Sequence, residues 1–451
     1  MKFHDRESEM ASLEKALEAS RSRLVVVVIT GRRRVGKTRL VREFFKRNGV
    51  NFLDFFVGVK SERLLMEDFS DEIREKLGYS PEFSTFRDLL QYLERISPEA
   101  VFFDEFQNVL RVNPPMAFEL QKFIDRNAEK PLLMVLSGSY LGMMKKLFAS
   151  RKAPLYGRSS IFMELRPLKP SHVFSMLGDM GVEDAERKVA FYSLFGGVPK
   201  YYELLELLGE DEPLELLTRA VEYSTFIVSE GEGLLMDEFG KGYRTYFSIL
   251  QAIAGGKNRL VEIANALGMK PGSVSKYLEA LQDYYGLIER ERPILGGRRS
   301  RYVIRDPFMN AWFSLIEPQR KNIEAGDVKA FRRFLEGRLE SFLGRAFERT
   351  LRDILHELNG KLLTFDELGP QWGRNYEIDL VAINREKKEA TFIEAKWGRD
   401  VDGPREIGKL VAKSQLVPWK GERRYLLVAR DFRRKCDDCM TVEELLLHLK
   451  P

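Results

Sequence analysis

The stretch LVVVVITGRRRVGKTRLVREFF, residues 24–45, constrains this chain more than any other. Its apolar, β-branched start at 24–29 reads as a buried strand. The loop at 31–38 has the spacing G-x-x-x-x-G-K-T, and apolar positions then recur at helical intervals. A glycine-punctuated loop between strand and helix turns backbone N–H groups and the positive helix end toward one point, where phosphate binds. Gly31 and Gly36 let those amides face the β- and γ-phosphates of a nucleotide. Lys37 adds a point charge, and Thr38 can place its hydroxyl on Mg2+. Arg32, Arg33, Arg34, Val35 and Arg39 complete the segment expected to line the nucleotide. ATP and Mg2+ are the expected cofactors; an ordinary glycine turn is the weaker reading, because strand and helix both flank the loop correctly.

A second apolar run, 101–103, ends in Asp104-Glu105, and an acidic pair just past a buried strand can meet the magnesium of the first motif. Asp104 would hold the metal through water, and Glu105 would orient and deprotonate the attacking water, so hydrolysis is expected as well as binding. A solvated acidic turn is the alternative. A third run, 132–136, delivers Ser137, Gly138 and Ser139, where a hydroxyl, Ser137 first, would sense the γ-phosphate or position water.

At 451 residues the chain exceeds one hydrophobic core, and about 150 residues per domain gives about three domains. Changes of pattern suggest an α/β multidomain chain: a P-loop ATPase core at 1–170, a helical lid at 171–235, a small helical module at 236–320 and a second α/β domain at 321–451. In the last of these, a helix is expected at 328–358 and strands at 377–383, 390–395 and 424–429. The longest apolar run, 24–29, is far short of the ~20 residues that span a bilayer, and the N-terminus lacks an apolar signal core, so the cytoplasm is the default location with no membrane partner. The two cysteines, Cys436 and Cys439, build no disulfide framework. Their CxxC spacing suits metal or redox chemistry, but no second ligand pair exists to complete a zinc site, and we read them as a chance pair.

The stretch at 258–304 reads as helix, turn, helix and basic hairpin, the pattern of a winged helix-turn-helix. Val261, Ala264 and Leu267 are expected to share the buried face of the first helix, and Val274, Leu278 and Leu281 that of the second. Ser273, Ser275, Lys276 and Glu279 would then be exposed toward DNA, with Arg298, Arg299 and Arg301 of the hairpin on phosphates. A module of this shape also serves for packing alone, and both readings stay open.

In the last domain Asp379 precedes a strand-like run, and Glu394-Ala-Lys396 ends the next. Residues i and i+2 of a strand share a face, so Glu394 and Lys396 project together, with Asp379 able to arrive from the neighbouring strand. Two carboxylates can hold Mg2+ against a scissile phosphate while a lysine polarises the attacking water.

The nucleotide motifs, together with FHDRESEM near the start, resemble the archaeal AAA+ ATPase family related to the STAND NTPases over about the first 320 residues. That resemblance implies that residues 3–7 lie against adenine, that GGVP at 196–199 sits in the helical lid, and that Arg158 of LYGR is an arginine finger, in cis or in trans to a neighbour. A loop arginine at the surface is the plain alternative, and a homo-oligomer is plausible. The last domain resembles the PD-(D/E)xK nuclease superfamily, with a restriction-endonuclease-like α/β fold, and the C-terminal domain often joined to archaeal ATPases of this type. The resemblance makes Asp379, Glu394 and Lys396 catalytic and adds Glu348 to Asp379 and Glu394 as a metal ligand; the departure is that Glu-Ile, not Pro, precedes Asp379. An active nuclease, a degenerate DNA-binding fold and a solvated hairpin remain open. The functions expected are an ATPase that binds DNA and couples nucleotide state to Mg2+-dependent cleavage, or a STAND-like switch without cleavage.

Overall fold

The computed structural model describes residues 3–297 and 299–449, which fall into two units, one of Asp5–Pro167 and one of residues 3–4 together with those from Leu168 onward. In the first unit, strands β1 (Leu24–Thr30), β2 (Phe52–Phe56), β3 (Ala100–Asp104), β4 (Leu132–Gly138) and β5 (Ile161–Glu164) form one parallel sheet in the order β2-β3-β4-β1-β5. β1, β3 and β4 are buried along their whole length, which is why they read as unbroken apolar runs. The helix Lys37–Asn48 buries Leu40, Val41, Phe44 and Phe45 together with its first residue, Lys37, and leaves Arg39, Arg42, Lys46 and Arg47 outward. Because β4 lies between β1 and β3, the carboxyl ends of three adjacent strands line up, the edge where open parallel sheets place their ligands.

The second unit begins with helices, among them Pro170–Asp179, Ala185–Phe195, Pro199–Leu208, Pro213–Glu222 and Ile227–Phe239. Helices Tyr243–Ala254, Leu260–Leu267 and Pro271–Glu279 follow, then an antiparallel hairpin of β6 (Ile288–Glu291) and β7 (Arg301–Ile304). Val274, Leu278 and Leu281 are buried as their spacing predicts. The face of the preceding helix differs from expectation. Ala264 is buried and Leu267 packs against the core as expected, but Val261 is 57% exposed and Ile263 is buried in its place.

The helix Val328–Glu357 runs for 30 residues. Strands β8 (Glu367–Trp372), β9 (Glu377–Asn384) and β10 (Glu389–Lys396) then form an antiparallel meander. After the two-residue β11 (Val401–Asp402), the helix Gly403–Ser414 carries the chain to β12 (Glu422–Ala429), which pairs parallel to β10. β13 (Phe432–Arg434) pairs with β11, and β14 (Cys439–Thr441) completes the sheet β14-β12-β10-β9-β8. One apolar core extends from Leu168 to Leu449, so the segments expected as lid, helical module and C-terminal domain share it. The cysteine reading needs correction. Cys439 N–H donates to Cys436 O (3.0 Å) in a turn, and the two side chains are joined in a disulfide.

Candidate functional site: the phosphate loop and the acidic strand end

The course of the loop after β1 is set by two glycines. Gly31 has φ +155°, and a Cβ there would lie 2.5 Å from Leu165 O; Gly36, at φ +100°, opens the helix Lys37–Asn48. Lys37 is almost fully buried, and its Nζ donates to the carbonyls of Gly31 (2.9 Å) and Arg32 (3.0 Å). That burial lowers its pKa to about 8, with Glu105 and Asp104 partly offsetting the loss. Val35 and Gly31 are buried, Arg33 and Arg39 are exposed, and Arg32 and Arg34 are half-buried. Arg6, within the segment 3–7 expected against adenine, is buried beside the loop. Its Nη2 donates to Val35 O (3.3 Å), and it pairs with Glu9 (3.2 Å).

Thr38, Asp104 and Ser137 meet at the ends of their strands and loop. Thr38 Oγ1 donates to Asp104 Oδ2 (2.6 Å), and the Ser137 hydroxyl donates to Asp104 Oδ1. Glu105 follows in the left-handed region at φ +55°, with its N–H donating to Asp104 Oδ1 (3.0 Å). Its carboxylate accepts from Gln107 Nε2 (2.6 Å) and from the Ser139 hydroxyl. Hard oxygen donors on a fixed frame suit Mg2+, which binds through few protein oxygens and completes its shell with phosphate and water.

Arg158 lies elsewhere. Ile161 pairs beside Val27 and Glu164 beside Thr30, so the chain enters β5 from the edge opposite the phosphate loop. At ~3.3 Å per residue the height of β1 separates Arg158 from that loop by ~20 Å, and its guanidinium pairs with Asp125 (3.2 Å) and donates to Tyr156 O (2.8 Å). This corrects the reading in cis; paired within its own unit, Arg158 matches the plain alternative, a loop arginine at the surface.

In the second unit, Asp379, Glu394, Lys396 and Glu348 converge on one region. Asp379 accepts from Ala395 N–H (2.8 Å), and the buried Glu394 is ion-paired with Lys396 (2.7 Å) and with Lys413 (3.0 Å) of the helix Gly403–Ser414. Burial, then the charge of Glu394, raises Asp379 to about 6, against the opposing Ala395 N–H and the two lysines. Partial withdrawal from water, then Asp379, raises Glu348, which opens with Asp379 and Glu291 onto a cavity of about 250 Å3. Among the described residues no three His, Cys, Asp or Glu side chains stand ready as a metal cage. Lys413 was missed because it comes from a helix 19 residues beyond Glu394.

Of the expected DNA contacts, Ser273, Lys276, Glu279 and Arg299 are exposed, and Ser275 is half-buried, with its hydroxyl donating to Glu279 (3.2 Å). Arg298 lies outside the described residues. Arg301 is a correction, because its guanidinium pairs with both oxygens of Glu377 and lies 4.4 Å from the Trp372 ring centre. The hairpin is docked further by Ile294 N–H on Pro370 O (3.0 Å) and Leu295 N–H on Gln371 Oε1 (2.9 Å).

Fold and loop together define a P-loop ATPase. The family described as "ATPase domain predominantly from Archaea" matches residues 3–205, and that described as "Archaea bacterial proteins of unknown function" matches residues 312–407. The chain belongs to the family of the uncharacterized protein MJECL04 of Methanocaldococcus jannaschii, with which it is 30% identical over 455 residues, covering 97% of this chain and 98% of that one. It is also similar to the uncharacterized ATP-binding protein PYRAB06260 of Pyrococcus abyssi, at 23% identity over 47% of this chain and 75% of that one. Among solved structures, the Walker-type ATPase PABY2304 of Pyrococcus abyssi shares the fold, with TM-score 0.51 and 22% identity over 69% of this chain and 96% of that chain. Among the described residues no helix is long and apolar enough to cross a membrane.

Proposed function

We propose that this ATPase is of the AAA+ kind, that Mg2+–ATP is turned over between Lys37, Thr38, Asp104 and Glu105, and that its state governs a DNA-directed, nuclease-like site in the second unit. Thr38 and Asp104 would hold the metal, which would draw charge from the phosphates; Lys37 holds the phosphates and Glu105 takes the proton of the attacking water. The observation that carries the DNA-directed part is the meeting of Asp379, Glu394 and Lys396 on adjacent strands with Glu348 facing them. The helix, three-stranded meander, helix and parallel strand around them support a restriction-endonuclease-like reading. Asp379 and Glu394 would hold Mg2+ there, and Ser273, Lys276 and Arg299 of the winged helix-turn-helix would supply DNA contacts.

A second reading, a STAND-like switch in which the last domain binds DNA or protein without cutting, is favoured by one observation: Glu394 is already balanced by two lysines. Mg2+-dependent cleavage of single-stranded, double-stranded and branched DNA, with and without ATP, separates the two. Cleavage lost in Asp379→Ala and altered in Lys37→Ala supports the coupled nuclease. No cleavage of any substrate alongside measurable ATPase activity favours the switch.

A further inference from the structure

The short turn Phe106–Asn108 after β3 carries a fully buried glutamine. Gln107 Nε2 donates to Glu105 Oε2 (2.6 Å), and its Oε1 has no hydrogen-bond partner. Only the amide nitrogen can face a carboxylate favourably, so this contact fixes which way the amide points. A buried amide with one end unsatisfied is a poor filler, since an apolar side chain of the same volume would fit without that desolvation cost. The neighbouring chain makes room for it all the same. A Cβ on Gly138 would lie 2.5 Å from Gln107 Oε1 and 2.4 Å from Met144 Sδ, so glycine at the end of β4 leaves the amide its space.

The group that Gln107 grips is itself in a costly conformation. Glu105 has φ +55°, which a side-chain-bearing residue adopts only when its surroundings hold it there. Asn108 Nδ2 anchors the same turn by donating to Val57 O (2.9 Å) beyond β2. The Glu105 carboxylate is thus fixed on one oxygen by Gln107 and on the other by Ser139, the first residue past β4. Both donors are neutral. They orient the carboxylate without cancelling its charge, and each oxygen keeps a lone pair for a water proton.

We propose that Gln107 is a positioning residue for ATP hydrolysis, holding the Glu105 carboxylate, together with Ser139, in the orientation that activates water. The inference rests on the reading of Glu105 as the base. The test measures steady-state ATPase activity, fluorescent-ATP affinity and thermal melting for Gln107→Met, Ser139→Ala and Glu105→Gln, and for Gln107→Met combined with Glu105→Gln. Gln107→Met should lower kcat about 10- to 100-fold, the size of one lost charge-assisted hydrogen bond, with KM, ATP affinity and melting near wild type. Ser139→Ala should act in the same direction, and Gln107→Met should cause no further loss where Glu105 is already glutamine. Unchanged or raised kcat in Gln107→Met overturns the proposal, as does a loss that persists in the Glu105→Gln background or that follows falling ATP affinity. Normal turnover by Glu105→Gln would instead remove the base beneath it, an outcome readable separately from the Gln107 result.

Discussion

Two acidic clusters in this chain are built on opposite principles. At the end of β3 the carboxylates of Asp104 and Glu105 accept from neutral donors, Thr38, Ser137, Gln107 and Ser139. At the end of β10 the buried Glu394 is gripped by two ammonium groups, Lys396 and Lys413. The first arrangement fixes geometry and leaves negative charge to attract a cation; the second satisfies most of the charge from within the protein. A carboxylate that already has two cations binds a third more weakly, so Mg2+ should favour the first cluster strongly.

The largest effect expected is at the first cluster. Glu105→Gln should retain ATP but lower turnover by about 10²–10³, the range seen when one group that stabilises a transition state is removed. Lys37→Ala should lose ATP affinity itself. Equal turnover in Glu105→Gln and wild type would end the comparison, since the neutral-donor cluster would then not be the catalytic one.

Next in size is a pH effect that the second cluster cannot produce. Burial brings Lys37 to about 8, whereas phosphate recognition needs its ammonium form. The charged form dominates below that pH and is lost above it. ATP affinity should therefore be level below about pH 8 and fall by up to about tenfold per unit above it. Titration of fluorescent ATP between pH 7 and 10 checks this, and Lys37→Arg, which stays charged throughout, should flatten the alkaline limb.

The two clusters were also unequally legible in the sequence. The phosphate loop is local: strand, loop and helix are contiguous over residues 24–45, and each motif residue carries its own reason. Asp104 and Glu105 were equally plain, but Gln107 was not, although it stands two residues on. Its meaning depends on the positive φ of Glu105 and on β4 arriving with a glycine at position 138, neither of which a linear pattern contains. In the second unit β8 escaped because Gly369 and Pro370 interrupt it; it is an edge strand with an irregularity at that point, where proline is tolerated. Arg301 read as a phosphate contact because its acceptor, Glu377, lies 76 residues away. Arg158 was visible as an arginine, but only the parallel register of β5 shows which edge of the sheet it occupies.

A smaller effect sharpens the contrast at Glu394. Lys413→Met leaves that buried carboxylate with one cation, which should destabilise the protein by about 1–3 kcal/mol, since part of a buried charge loses its partner. If the carboxylates there accept Mg2+, millimolar Mg2+ should raise the melting temperature of Lys413→Met more than that of the wild type, because binding to the native state adds stability. Equal Mg2+ response in both would mean that the cluster is an internal ion pair and nothing more.

The smallest effect expected is at Arg301. Its partner Glu377 is 59% exposed, so Arg301→Ala should cost less than about 1 kcal/mol from the ion pair, with a comparable loss from the contact on Trp372. Because the guanidinium is engaged with protein, the substitution should leave the salt dependence of the proposed DNA binding unchanged, whereas Arg299→Ala should lower the slope by about one counterion. A slope that falls equally in both variants would show that Arg301 exchanges Glu377 for phosphate when DNA arrives. The hairpin would then be a displaceable contact, and the charge balance around Glu394 would have to be judged with the hairpin released.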